Sequence, residues 1–120
     1  MNKTQKTYIQ AKANLEAAYV AFNAYMNPIW DASEYTDATF EIEEAKRTEL
    51  NIDALYTAKV EAENELLKWA SEVAIKKAGK FFRSEEIQAI TELMEKAQSP
   101  RALPSVRTKC LDLAFRFSGN

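Results

Sequence analysis

The sequence contains no histidine and only one cysteine, Cys110. Without histidine, the chain cannot form a Ser-His-Asp or Cys-His catalytic site or any zinc site that needs imidazole. One cysteine cannot form an intramolecular disulfide, a four-cysteine zinc site or an iron–sulfur cluster. The carboxylate-bridged di-iron bundle is also excluded, because it needs Glu-x-x-His. We therefore expect no metal, no cofactor and no enzymatic activity.

Glycine and proline are scarce, with two and three residues respectively among 120. Two glycines, at 79 and 119, provide neither a phosphate-binding loop nor a dinucleotide fingerprint. Alanine, glutamate, lysine and leucine are abundant, and these residues lose little entropy in a helix. A chain of this length is the size of one domain. We predict an all-α fold over 1–120: a single domain built as a four- to five-helix bundle.

Long apolar runs are absent, since none reaches the roughly 18–20 residues that a membrane span requires. The first residues include Lys3 and Lys6 but no apolar segment of a signal peptide behind them. We therefore expect no membrane partner and a cytoplasmic location.

Hydrophobic periodicity and helix-ending residues predict helices at about 4–26, 37–78, 85–98 and 104–117. Asn27-Pro28 is expected to end the first helix, with Trp30 covering the core from the following link. Unbroken, the second helix would be about 60 Å long, too long for a domain of this size. We therefore predict a long second helix that kinks or breaks near Asn51-Ile52-Asp53. Ser84 is the expected N-cap of the third helix.

An acidic stretch occupies residues 31–44, which contain six acidic side chains and no basic one. These acids, with two neighbouring aromatic residues, form the candidate protein-binding site: Trp30, Asp31, Glu34, Tyr35, Asp37, Glu41, Glu43 and Glu44. Aromatic side chains are favoured at the centre of protein interfaces. The alternative is a solvated helix start, where acids complement the helix dipole.

Basic residues are concentrated in the second part of the chain, so that residues 1–75 carry a net charge of −6 and residues 76–120 one of +4. They surround Phe81-Phe82 and form a candidate nucleic-acid-binding site: Lys76, Lys77, Lys80, Arg83, Arg101, Arg107, Lys109 and Arg116. Basic residues beside aromatics are typical of grooves that bind single strands. However, a pI near 5.3 and the glutamates after Ser84 disfavour this interpretation.

Other reactive groups have ordinary explanations. Three carboxylate pairs lie among other charges on polar faces, so we interpret them as solvated: Glu41 and Glu44, Glu61 and Glu65, Glu92 and Glu95. Cys110 lies on an apolar stripe, which favours a buried small hydrophobe over a nucleophile.

These observations favour a non-catalytic protein–protein interaction module that docks a basic partner through its acidic residues. Small helical chains without active-site residues are often inhibitors or regulators, including those carried by phages and other mobile elements. One alternative is a nucleic-acid-binding regulator that uses the basic C-terminal half. Another is a structural homodimer built on the long second helix, so the possible partners are a protein, a second copy and, ranked last, nucleic acid.

Overall fold

A computed structural model describes residues 2–77 and 82–116 of the chain. Within these ranges 86% of the residues are helical and no strand is present, which confirms the all-α prediction. Five helices are described: α1 (Lys3–Ala32), α2 (Asp37–Glu49), α3 (Ile52–Trp69), α4 (Ser84–Ala97) and α5 (Pro104–Arg116). None of the described helices is long and apolar enough to cross a membrane. The predicted features at Gly79, Lys80, Phe81 and Phe117 lie outside the described residues.

The chain divides into two compact units. Unit 1 comprises Met1–Ile9 and Val60–Asn120, and unit 2 comprises Gln10–Lys59. Each unit has its own cluster of buried apolar side chains. The single domain over 1–120 stays a prediction, as does the arrangement of the helices as a bundle.

The first helix is longer than predicted, because α1 continues through Pro28 to Ala32. Proline inside a helix costs about 3 kcal/mol, since it removes a backbone hydrogen bond and its ring clashes with the preceding turn. The residues after Pro28 gain contacts that offset this cost: Ile29 packs on the core of unit 2, and the Trp30 ring lies 6.0 Å edge-on from Phe22. The prediction of a link over 27–36 was therefore wrong up to Ala32.

Thr36 is the N-cap of α2, and reciprocal hydrogen bonds join Thr36 and Thr39. The helix ends at Glu49, and Asn51, with φ of 59°, separates it from α3. Asparagine is one of the few side chains that adopt this left-handed conformation readily. Residues 37–78 therefore contain the predicted break near Asn51, but they do not form a long second helix, and the longest helix is α1.

Unit 2 has its core along one face of α1 and the start of α3. The core residues recur every three or four positions on α1, which places them on one side of the helix. The buried members are Leu15, Ala18, Phe22, Met26 and Ile52, and Tyr19, Ile29, Leu50 and Leu55 pack against them.

Unit 1 has its core between α3, α4 and α5. The buried members are Leu66, Leu67, Ala70, Met94, Ala97, Cys110, Leu111 and Ala114, with Trp69, Ile90 and Val106 among those packed against them. After Trp69 the helix continues as a π-helical turn, Ala70–Ala74, and a final turn, Ile75–Lys77. The N-cap of α4 is Arg83 rather than Ser84, so that prediction was wrong by one residue.

Candidate functional site

The acidic surface is the name used here for the eight residues Trp30, Asp31, Glu34, Tyr35, Asp37, Glu41, Glu43 and Glu44. They occupy the last turn of α1, the short link after it and the first turns of α2, all within unit 2. The capping bonds between Thr36 and Thr39 fix the direction in which the chain enters α2. This local structure brings Trp30, Tyr35 and Glu43 together, although they lie up to 13 positions apart in the sequence.

Glu43 is the centre of the acidic surface, because its carboxylate accepts hydrogen bonds from two aromatic side chains. The Trp30 indole Nε1–H donates to Oε1 at 2.7 Å, and the Tyr35 hydroxyl donates to Oε2 at 3.0 Å. Hydrogen bonds to an ionised acceptor are short and strong compared with neutral ones. Glu43 therefore holds both rings in place while both remain accessible, with Trp30 37% and Tyr35 60% exposed.

Trp30 connects this surface to the core of unit 2. Its ring packs edge-on against Phe22, which is buried, while its indole N–H reaches Glu43. An amphipathic ring with an apolar body in the core and a polar tip at the surface is a common use of tryptophan. Trp30 therefore contacts the core of unit 2 through Phe22, as expected from the sequence.

The pKa of Tyr35 is shifted by its surroundings. Desolvation, the hydrogen bond to Glu43 and the negative charges of Glu43 and Glu44 together raise the pKa of Tyr35 above its ordinary value of 10.0. Because a tyrosinate would face two carboxylates, the neutral hydroxyl that donates to Glu43 is favoured.

The remaining acids of the surface are exposed: Asp31, Glu34, Asp37, Glu41 and Glu44. Within the described ranges 2–77 and 82–116, none of these five carboxylates forms an ion pair. The basic residues of α2 are engaged elsewhere. Lys46 pairs with Glu49 and Arg47 with Asp53. Arg47 also attracts Glu44 electrostatically, and the surface as a whole carries an excess of negative charge.

Two apolar residues of α2 add to this region and were missed in the sequence. Phe40 is 52% exposed and Ile42 is 38% exposed. Thr39 is the buried residue of α2, and helical spacing places Phe40 and Ile42 about 100° and about 60° to either side of it.

Arg107, one of the candidate nucleic-acid-binding residues, points into unit 1 instead. Its guanidinium donates to the carbonyl of Ala97 at 2.7 Å, to Asn64 Oδ1 at 2.9 Å and to Glu63 Oε1 at 3.2 Å. All of these partners are protein groups, and Glu63 is buried. Arg107 therefore joins helices and is not available to bind phosphate.

The other candidate basic residues are exposed where they are described. Arg83 pairs with Glu86 at 3.6 Å, and Lys80 lies outside the described residues. The rest are solvent-accessible on the final turn of the α3 segment, in the loop before α5 and on α5 itself: Lys76, Lys77, Arg101, Lys109 and Arg116. Phe82 is half-buried.

The groups that we interpreted as unreactive have the expected surroundings. Cys110 is buried, and burial raises the pKa of its thiol. The six residues of the three carboxylate pairs include only exposed side chains. In the described part of the chain, no group of three or more potential ligand side chains is placed to hold a metal ion.

No protein-family model, curated protein sequence or solved structure matches this chain.

Proposed function

We propose that the protein is a non-catalytic binding module that docks a basic surface of another protein through its acidic surface. The observation that supports this most is the position of Glu43, whose two carboxylate oxygens hold Trp30 and Tyr35. Rings that are fixed before binding lose less entropy when a partner arrives. Tryptophan and tyrosine are also the residue types that contribute most to interface energies.

The negative charge of the acidic surface supports the same proposal. Five acids of the surface are exposed and form no ion pair within the described ranges, so their field is available to a partner. Complementary charge accelerates encounter and fixes the orientation of a complex, while buried aromatic contacts supply much of its affinity. Phe40, 52% exposed beside the acids in sequence, provides further apolar area.

A module of this kind acts by occupying the surface that it binds. We therefore place the protein among small regulators or inhibitors, of the sort that phages and other mobile elements carry. Arg107 donates its hydrogen bonds to groups inside unit 1, which argues against the alternative that the basic residues bind nucleic acid.

The test uses three baits in parallel for affinity capture from the native host, with mass spectrometry of the captured proteins. The first bait is the unchanged protein. The second carries Glu41→Lys and Glu44→Lys, which reverse two exposed charges of the acidic surface without removing Glu43. The third is the matched control with Glu61→Lys and Glu65→Lys, an equal charge change at two exposed positions of unit 1.

We expect a basic protein that is captured by the first and third baits and lost from the second. Circular dichroism should be the same for all three, because the changed side chains are exposed. A partner retained equally by the second bait would contradict the proposal. So would tight binding to a plain oligonucleotide that weakens steeply with salt, because release of cations from phosphates would then drive binding.

A further inference from the structure

Unit 2 contains two places where one of its own cations lies against both an aromatic ring and a carboxylate. In the first, the Lys46 Nζ lies 4.3 Å from the centre of the Tyr25 ring and 3.1 Å from Glu49 Oε2. The face of an aromatic ring is electron-rich and attracts a cation, and the carboxylate adds an ion pair. A ring with a carboxylate beside it thus binds a basic side chain in this fold.

Arg47 repeats this arrangement at the next position of α2. Its guanidinium carbon lies 5.9 Å from the centre of the Phe22 ring, and its Nη2 lies 3.3 Å from Asp53 Oδ1. The sequence of α2 contains no other basic residue besides Lys46. Both cations of α2 are therefore bound by a ring and an acid of the same unit.

A third combination of rings and carboxylates in unit 2 has no cation. Its rings are Tyr35 and Phe40, which are 60% and 52% exposed. Three acids lie one helical turn from Phe40 on its own side of α2: Asp37, Glu43 and Glu44. In the described part of the chain, no lysine or arginine forms an ion pair or a cation–π contact with these residues. We call these five residues the Phe40 site.

The members of the Phe40 site lie close to one another. The Tyr35 hydroxyl donates to Glu43 at 3.0 Å, and the charge of Glu44 contributes to the raised pKa of Tyr35. Arg47 also attracts Glu44, but its hydrogen bond goes to Asp53. Among the described residues, the carboxylate of Glu44 accepts no hydrogen bond. A cation that arrives beside Phe40 can therefore meet a ring and an acid together.

We infer that the Phe40 site binds an arginine side chain of the basic partner, whose guanidinium stacks on the Phe40 ring and donates to Glu44. The inference rests on the proposed docking function and adds the residue type that the partner supplies. A planar guanidinium can stack on a ring face and donate to a carboxylate at the same time. The ammonium of lysine is a compact, strongly hydrated charge, so it gains less from an exposed ring.

Titration of the isotope-labelled full chain with hexaarginine and with hexalysine compares the two residue types at equal charge. Backbone amide shifts in NMR spectra locate the bound peptide. We expect hexaarginine to bind at least about threefold more tightly than hexalysine, because an exposed cation–π contact has about this effect on affinity. The largest shifts should occur at Tyr35, Phe40 and Glu44.

Two variants separate the ring from the charge. Phe40→Leu keeps an apolar side chain and every acid but removes the ring, so the preference for hexaarginine should disappear while weak binding of both peptides remains. Tyr56→Leu is the matched control, because it removes a ring that is 53% exposed on α3, in the same unit. It should leave the preference unchanged. Circular dichroism checks that both variants remain helical.

Several outcomes would overturn the inference: equal affinity for the two peptides, no binding of either, largest shifts in unit 1, or a preference that survives Phe40→Leu. None of them would contradict the proposed function, because affinity capture with Glu41→Lys and Glu44→Lys tests the docking of a basic partner separately. A captured partner that survives those charge reversals would contradict the proposed function even where hexaarginine binds as expected.

Discussion

Arg107 and Glu63 pair at 3.2 Å although 44 residues separate them in the sequence. The same guanidinium group also donates hydrogen bonds to Asn64 Oδ1 and to the carbonyl of Ala97, the last residue of α4. One side chain of α5 therefore holds α3 and α4 together. Its side chain is 18% exposed and that of Glu63 is 9% exposed, so most of this contact is shielded from water.

Arg107→Ala should lower the free energy of unfolding by about 1.5–3 kcal/mol, because it removes charge-assisted hydrogen bonds to Glu63, Asn64 and the carbonyl of Ala97. Urea unfolding monitored by circular dichroism measures the change. Arg107→Lys should recover only part of the loss, since lysine lacks the planar fork that reaches several acceptors. Arg116→Ala is the control, and its exposed side chain should contribute less than about 0.5 kcal/mol. Equal losses for Arg107→Ala and Arg116→Ala would contradict the role of Arg107.

Two neighbouring residues of α4 should differ sharply in their contribution to stability. Met94 is completely buried and Leu93 is 46% exposed. Met94→Ala should cost about 2–5 kcal/mol, because it removes buried apolar atoms and leaves a cavity. Leu93→Ala should cost less than about 1 kcal/mol, because the side chain of Leu93 is already largely exposed and buries little apolar area. Chemical denaturation measures both losses. A larger loss for Leu93→Ala than for Met94→Ala would mean that Leu93, and not Met94, faces the core of unit 1.

Two prolines should respond in opposite directions to the same substitution. Pro28 lies inside α1, where it costs a backbone hydrogen bond, so Pro28→Ala should stabilise the protein by about 1–3 kcal/mol. Pro104 is the first residue of α5, where its fixed φ suits the helix and no hydrogen bond is lost. Pro104→Ala should therefore leave stability unchanged or lower it. Melting temperatures compare the two, and a destabilised Pro28→Ala variant would show that the ring itself makes a needed contact.

The pKa of Tyr35 should depend on Glu43. Ultraviolet titration should show a pKa of Tyr35 above 10, and Glu43→Gln should lower that pKa towards its ordinary value. The stabilisation from this pair is complete below pH 10 and is lost as pH rises through the raised pKa, because ionised Tyr35 cannot donate to Glu43. Glu61→Gln, in unit 1, is the control and should leave the titration unchanged. A titration unaffected by Glu43→Gln would remove Glu43 as a cause.

The sequence predicted those features that depend on local spacing. The all-α class and the starts of α2 at Asp37 and of α5 at Pro104 follow from composition, capping and proline chemistry within a few residues. The burial of Met26 and Cys110 follows from helical periodicity. Local rules were insufficient at Pro28, where packing of Ile29 and Trp30 outweighs the conformational cost.

The candidate site was only partly predictable, because some of its contacts join residues that are distant in the sequence. The acids of residues 31–44 are adjacent in sequence, so their clustering required no knowledge of the fold. The convergence of Trp30 and Tyr35 on one carboxylate did require it, because these partners lie 13 and 8 residues from Glu43. The inward orientation of Arg107 likewise depends on a contact between helices, and charge composition cannot distinguish it from a free surface cation.

The π-helical turn Ala70–Ala74 has a consequence for the phase of the helix that contains it. The N–H of Ile75 bonds to the carbonyl of Ala70, five residues back rather than four. One extra residue in the turn rotates everything that follows by about 100° relative to a continuous α-helix. The regular projection of an α-helix puts Val73 on the same face as the buried Leu66, whereas Val73 is 38% exposed and Ile75 is completely buried. In genetic terms the turn is equivalent to a one-residue insertion. Deletion of the exposed Glu72 would restore a regular helix and keep Ile75 in phase, so we expect related sequences to differ in length by one residue at this point.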